Sequence, residues 1–131
     1  MINIKPLKAY TDNYIWLLET NEEVSVVDPG DAKPVLDYLS KTNKNIRDIF
    51  ITHHHFDHTA GVPELENIIS GSIYGPKNSY ELINEKVTQG DTLSSLGIKF
   101  EIIEVPGHTL DHIAFYLSLI HISEPTRPDV I

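Results

Sequence analysis

The sequence predicts a layered α/β sandwich. Short apolar, β-branched runs recur along it, each bounded by turn residues. They alternate irregularly with a few helix-spaced segments, which favours stacked layers over a strict βαβ repeat. One such run is followed directly by Thr52-His53-His54-His55-Phe56-Asp57-His58-Thr59-Ala60-Gly61, which holds four of the seven histidines. The C-terminal edge of a sheet is where ligands bind in open α/β folds.

Taken in order, residues 2–9 alternate loosely (Ile2, Ile4, Leu7) and predict a first strand. Thr11-Asp12-Asn13 is turn chemistry, and Tyr14-Ile15-Trp16-Leu17-Leu18 is a buried strand. After Asn21-Glu22-Glu23 turns the chain, Val24-Ser25-Val26-Val27 is a third strand, closed by Asp28-Pro29-Gly30. These strands form a meander. Asp31 can cap a helix that accepts Pro34 in its first turn, and Val35, Leu36 and Leu39 carry it to about residue 42. Ile46 to Thr52 is a central strand. Gly61 to Asn67 opens a short helix, and Ser72-Ile73-Tyr74 is a short strand. Residues 77–84 suit a helical turn or two. Val87 to Asp91, Ile98 to Val105 and Ile113 to Leu117 complete the strands.

Composition narrows the function classes. The 131 residues suffice for one small domain, and a hydrophobic fraction of 40% provides a core. A formal net charge of −9 offers no basic face, so neither nucleic acid nor an anionic membrane is an expected partner. The absence of cysteine excludes thiolate nucleophiles and thiolate metal ligands. No apolar stretch is long enough to span a bilayer and no secretory signal is visible, so a cytoplasmic protein is expected.

His53 and His55 are two apart, and on an extended backbone such residues point to one side. Two imidazoles can therefore converge on one ion. Asp57 and His58 follow as the chain leaves the strand, and suit a second ion close by. His108, in the tight turn Pro106-Gly107-His108-Thr109, is the candidate third imidazole for the first ion. Three histidines leave a position open for water, as in catalytic rather than structural zinc sites. Nitrogen and oxygen donors without sulfur suit zinc, iron or manganese. His112 and His121 are expected to be ordinary polar residues. Asp28 divides evenly between capping a turn and hydrogen-bonding a metal-ligating imidazole from behind.

At these residues the chain resembles the metallo-β-lactamase fold superfamily, whose signature is the same His-x-His-x-Asp-His. Within it, the chain looks like the hydroxyacylglutathione hydrolases of the glyoxalase II family. Thr11-Asp12-Asn13-Tyr14-Ile15-Trp16-Leu17, Val27-Asp28-Pro29-Gly30-Asp31, the histidine stretch and Pro106-Gly107-His108-Thr109-Leu110-Asp111-His112-Ile113 carry that likeness. It covers residues 1 to about 117.

The resemblance implies a metallo-β-lactamase-like αββα sandwich, of which this chain carries the N-terminal half. It also implies a binuclear centre. His53, His55 and His108 match the ligands of one metal, and Asp57 and His58 those of the other. Two Zn2+ per intact subunit are expected, with iron or manganese as alternatives. Asp57 would also act catalytically, orienting the attacking water. The implied reaction is hydrolysis of a small-molecule glutathione thioester, S-(2-hydroxyacyl)glutathione, to a 2-hydroxy acid (D-lactate in the usual case) and glutathione, as in methylglyoxal detoxification. The family's bridging aspartate, later histidine and C-terminal helical region have no counterpart here.

Residues 1–117 are therefore expected to form a partial domain and a monomer. The stretch from Leu117 to Arg127 resembles a translated transposon-type sequencing adapter, which would make residues 118–131 an artefactual or disordered tail. Such a truncated chain is expected to have weak activity or none. The runner-up is a mononuclear iron oxygenase acting on glutathione persulfide. A non-catalytic metal-binding fragment is the reading from outside enzymology, and a β-lactamase is the least favoured.

Overall fold

A computed structural model describes residues 3–9, 13–53, 56–77, 80–105 and 113–117. Strands β1 (Asn3–Ala9), β2 (Asn13–Glu19) and β3 (Glu23–Val27) form the expected antiparallel meander. Helix α1 (Ala32–Thr42) then reverses the chain. Asp31 caps it by accepting the amide of Lys33 at 3.0 Å. Asn43 ends it in the left-handed region at φ 61°, with its amide on the carbonyl of Leu39 at 2.9 Å. The crossover lays β4 (Asn45–Phe50) parallel to β3.

A helical turn α2 (Phe56–Thr59), helix α3 (Val62–Leu65) and a 3-10 turn (Glu66–Ile68) lead on to β5 (Ile73–Pro76) and β6 (Glu85–Val87). Both strands extend the sheet in parallel, giving the order β1-β2-β3-β4-β5-β6. A second, antiparallel sheet consists of β7 (Thr92–Ser95), β8 (Ile98–Glu104) and β9 (Ile113–Leu117).

Two apolar clusters hold three layers together. Val35 of α1 and Val62 and Leu65 of α3 pack on Val24, Val26, Ile46, Ile49 and Ile73 on one face of the large sheet. The other face meets the second sheet through Leu18, Val27, Phe50, Phe100, Ile102 and Phe115. Phe50 is the hub. Its ring stacks on Phe115 at 4.8 Å and meets Phe100 edge-on at 5.1 Å and Tyr74 at 5.7 Å. Complete burial of one such ring contributes about 1.5–3 kcal/mol. The described residues thus supply one helical layer and both sheets of the expected αββα sandwich.

A polar thread also crosses the sheet interface. Ser95 Oγ donates to Asp48 Oδ2 at 2.6 Å and lies 2.8 Å from Ser25 Oγ. Asp48 Oδ1 accepts the amide of Ser72 at 2.8 Å. No described helix is long and apolar enough to cross a membrane.

The structure departs from expectation at four places. The strand expected through Thr52 stops at Phe50, because β3 has ended beside it and Asp28 takes over as hydrogen-bond partner. The segment 77–84, expected to turn helically, holds no helix among its described residues. Asn84 pins it to Ile73 twice, by its amide at 3.0 Å and its side-chain oxygen at 2.9 Å, which leads the chain straight into β6. The strand expected over Val87 to Asp91 is a turn from Thr88 on, closed by Asp91 accepting the amide of Thr88 at 2.8 Å and by Gly90 at φ 88°. A strand, β7, that no apolar run announced then follows. The tail at 118–131 lies outside the described residues.

Candidate metal centre

Because β3 and β4 are parallel neighbours, their C-terminal ends lie side by side. Asp28 follows one and Thr52-His53 the other. The backbone keeps them in register past the last ladder pair, since the amide of Asp28 donates to the carbonyl of Phe50 at 2.8 Å. Asp28 itself sits at φ 51°, a left-handed conformation that aspartate tolerates better than most residues. The amide of Gly30 donates to its carbonyl at 2.8 Å, completing a tight turn.

That turn aims the Asp28 carboxylate across to the end of β4. Oδ1 accepts the amide of Thr52 at 2.8 Å, and Oδ2 accepts the Thr52 hydroxyl at 2.5 Å. Oδ2 also lies 3.1 Å from Nδ1 of His58, brought round by α2. An ionised carboxylate only accepts, so that nitrogen carries the hydrogen. In the neutral ring Nε2 then keeps its lone pair, as a metal ligand requires.

The His53 and His58 rings lie 4.2 Å apart between centroids, tilted by 50°. One donor atom from each of Asp28, His53 and His58 falls within a group no wider than 4.8 Å. Asp28 and His53 are buried, at 8% and 3% exposure, while His58 is half-buried. Two imidazoles backed by a buried carboxylate, in partly dry surroundings, are nitrogen donors of the kind that zinc, iron or manganese accepts.

Of the sequence candidates, the structure brings His53 and His58 together. His55 and His108 lie outside the described residues, as do His112 and His121. Asp57 is on α2, but its side chain is likewise outside what is described. Residues 106–112, which include His108, are followed by β9, whose first amide, that of Ile113, donates to the carbonyl of Thr52 at 2.9 Å. The second sheet is thereby fastened one residue from His53.

Of the two readings its sequence context left open, Asp28 does sit in a tight turn, and its carboxylate lies against the ring of His58. Two contributors carried no flag of their own. Thr52 read only as the last residue of a strand, and its place directly before His53 was the available signal. Gly61 read as a helix opener. In the structure its amide donates to the carbonyl of Pro29 at 2.8 Å, and a Cβ there would lie 2.6 Å from that oxygen.

Comparison with known proteins agrees with this architecture. The hydroxyacylglutathione hydrolase of Pseudoalteromonas translucida (strain TAC 125) is 48% identical over 122 residues, covering 88% of this chain and 46% of that protein. The chain thus spans about half the length of the curated relatives it matches. Among solved structures, ETHE1 from Myxococcus xanthus superposes with a TM-score of 0.72 at 25% identity, covering 87% of this chain and 53% of that one. The BLEG-1 B3 metallo-beta-lactamase, at 19% identity, shares the fold with a TM-score of 0.77, covering 87% and 66%. The family model described as the metallo-beta-lactamase superfamily matches residues 11–119, and the chain belongs to that family.

Proposed function

We propose that this protein is a metal-dependent thioester hydrolase acting on S-(2-hydroxyacyl)glutathione, such as S-D-lactoylglutathione. The observation that carries this reading is the meeting of His53, His58 and Asp28 at the paired ends of β3 and β4. The relatives named hydroxyacylglutathione hydrolase supply the substrate class. His53, His55 and His108 would hold one metal, and Asp57 and His58 a second. The Ile113–Thr52 hydrogen bond supports the assignment of His108, because it anchors the strand that begins five residues after it.

A bound divalent metal supplies Lewis acidity and, with a water pKa lowered to about 7, a nucleophile at neutral pH. The rest falls to the chain's own residues. Asp57 orients the attacking water toward the acyl carbon. Asp28 holds the His58 ring in one orientation. The water oxygen bonds to the acyl carbon, the carbon–sulfur bond breaks, and the proton released ends on the glutathione thiolate. A thiolate is a good leaving group, so no strong general acid is required.

The test combines metal content by elemental analysis with thiol release from S-D-lactoylglutathione. Slow release that chelation or His53→Ala abolishes is the expected outcome for this 131-residue chain. Oxygen uptake with glutathione persulfide would replace the proposal with an iron oxygenase. About one metal per chain without any turnover would replace it with a metal-binding role alone.

A further inference from the structure

We infer that Thr52 is a positioning residue for the metal centre, its hydroxyl selecting the tautomer in which His53 offers Nε2 to a metal. The basis is a count of hydrogens along one chain of contacts. Thr52 Oγ1 lies 2.5 Å from Asp28 Oδ2 and 2.9 Å from His53 Nδ1. A hydroxyl has one hydrogen and two lone pairs, whereas a carboxylate oxygen only accepts. The threonine hydrogen therefore points to Asp28, and only a lone pair is left to face His53. Nδ1 of His53 must donate, so in the neutral ring Nε2 is the bare nitrogen.

The backbone closes off the alternative. The amide of Thr52 is fixed on Asp28 Oδ1 at 2.8 Å, so the carboxylate and the threonine are joined at two points and the side chain cannot turn its hydrogen toward His53 without losing one of them. The same Oδ2 faces Nδ1 of His58 at 3.1 Å. One carboxylate thus sets both rings, His58 directly and His53 through a hydroxyl. The shared orientation matters because neither Nε2 then carries a proton that a metal would have to displace.

The inference rests on His53 being a metal ligand, as proposed above, whereas the tautomer can be read without any metal. The experiment is long-range proton–nitrogen NMR of the metal-free 131-residue chain at about pH 8, where an ordinary imidazole with a pKa of about 6.5 is neutral. It is paired with zinc titrations of Thr52→Ser and Thr52→Val. The unsubstituted chain and Thr52→Ser should show His53 with its hydrogen on Nδ1 and equal zinc affinity. Thr52→Val should show a mixture of tautomers and a zinc affinity lower by about ten- to a hundredfold.

A hydrogen on Nε2 of His53 in the unsubstituted chain would overturn the inference outright, even if Thr52→Val failed to fold. So would a folded Thr52→Val with unchanged tautomer and affinity. A chain inert toward every thioester that still showed the expected tautomers and zinc affinities would defeat the hydrolase reading and support this one.

Discussion

The amide of Gly61 donates to the carbonyl of Pro29 across 2.8 Å, and the two backbones meet with no room for a side chain between them. A methyl group on Gly61 would also come within 2.6 Å of the amide nitrogen of Ala32. The contact clamps the loop after β3 to the segment after α2, and so fixes Asp28 relative to His58. Gly61→Ala is expected to cost about 1–3 kcal/mol, the usual price of overpacking. Its zinc affinity should fall with it. Urea denaturation and zinc titration check the two effects, and a stable variant with full affinity would show that the clamp is dispensable.

Asp28→Asn tests the carboxylate that three donors share. The asparagine keeps the shape but leaves a single acceptor oxygen where two are used. Either the Thr52 amide on Oδ1, or the Thr52 hydroxyl and His58 on Oδ2, must lose its acceptor. Zinc affinity is expected to drop about ten- to a hundredfold, read by calorimetry. Secondary structure by circular dichroism should stay unchanged, since the strands do not depend on that charge.

Phe50 offers a test of the sheet interface. Phe50→Ala removes the ring on which Phe100, Phe115 and Tyr74 converge. A loss of about 3–5 kcal/mol is expected from equilibrium unfolding. Phe50→Leu should recover part of it.

Glu19 contributes to stability in acid. Its carboxylate is buried, at 3% exposure, and meets the Tyr38 hydroxyl, Lys44 Nζ at 2.9 Å and Lys5 Nζ at 3.2 Å. Burial pushes its pKa up, but the hydrogen bonds from Tyr38, Lys44 and Lys5 outweigh burial and hold it below the ordinary 4.5. A depressed carboxylate stabilises the fold fully above pH 4.5, and the contribution is lost as pH falls through the lower folded value. Glu19→Gln should lower stability at pH 7 by about 1–3 kcal/mol. It should also flatten the acid limb of a plot of urea midpoint against pH.

These residues differ in how far the sequence exposed them. The meander and β4 were legible as short apolar runs bounded by turn residues, and α1 because Val35, Leu36 and Leu39 recur at helical spacing. The nearness of His53 and His58 was legible because both fall in one short stretch of sequence. Strand β7 was not, since Thr92-Leu93-Ser94-Ser95 has one apolar residue, and Ser95 is buried through its bonds to Ser25 and Asp48 rather than by hydrophobicity. Asp48, a charged residue in the strand Ile46-Arg47-Asp48-Ile49, is 3% exposed. Its partners come from β7 and the loop before β5, and no local pattern encodes a partner distant in the chain. Thr52 was hidden for the same reason, its role depending on a carboxylate supplied by the preceding strand.

The hydrogen bond from Ile113 to Thr52 joins the metal centre to the order in which the chain folds. Thr52 sits at the end of a βαβ crossover built from nearby segments, whereas Ile113 opens a strand of the other sheet. Pairings between distant segments are the slow events of folding, because the intervening chain must first be closed into a loop. The scaffold of Asp28, Thr52 and His58 is therefore expected to form early, and its fastening to the second sheet late. Protection of the Ile113 amide proton in pulse-labelled exchange should therefore appear late in refolding, after that of the amides in β3 and β4.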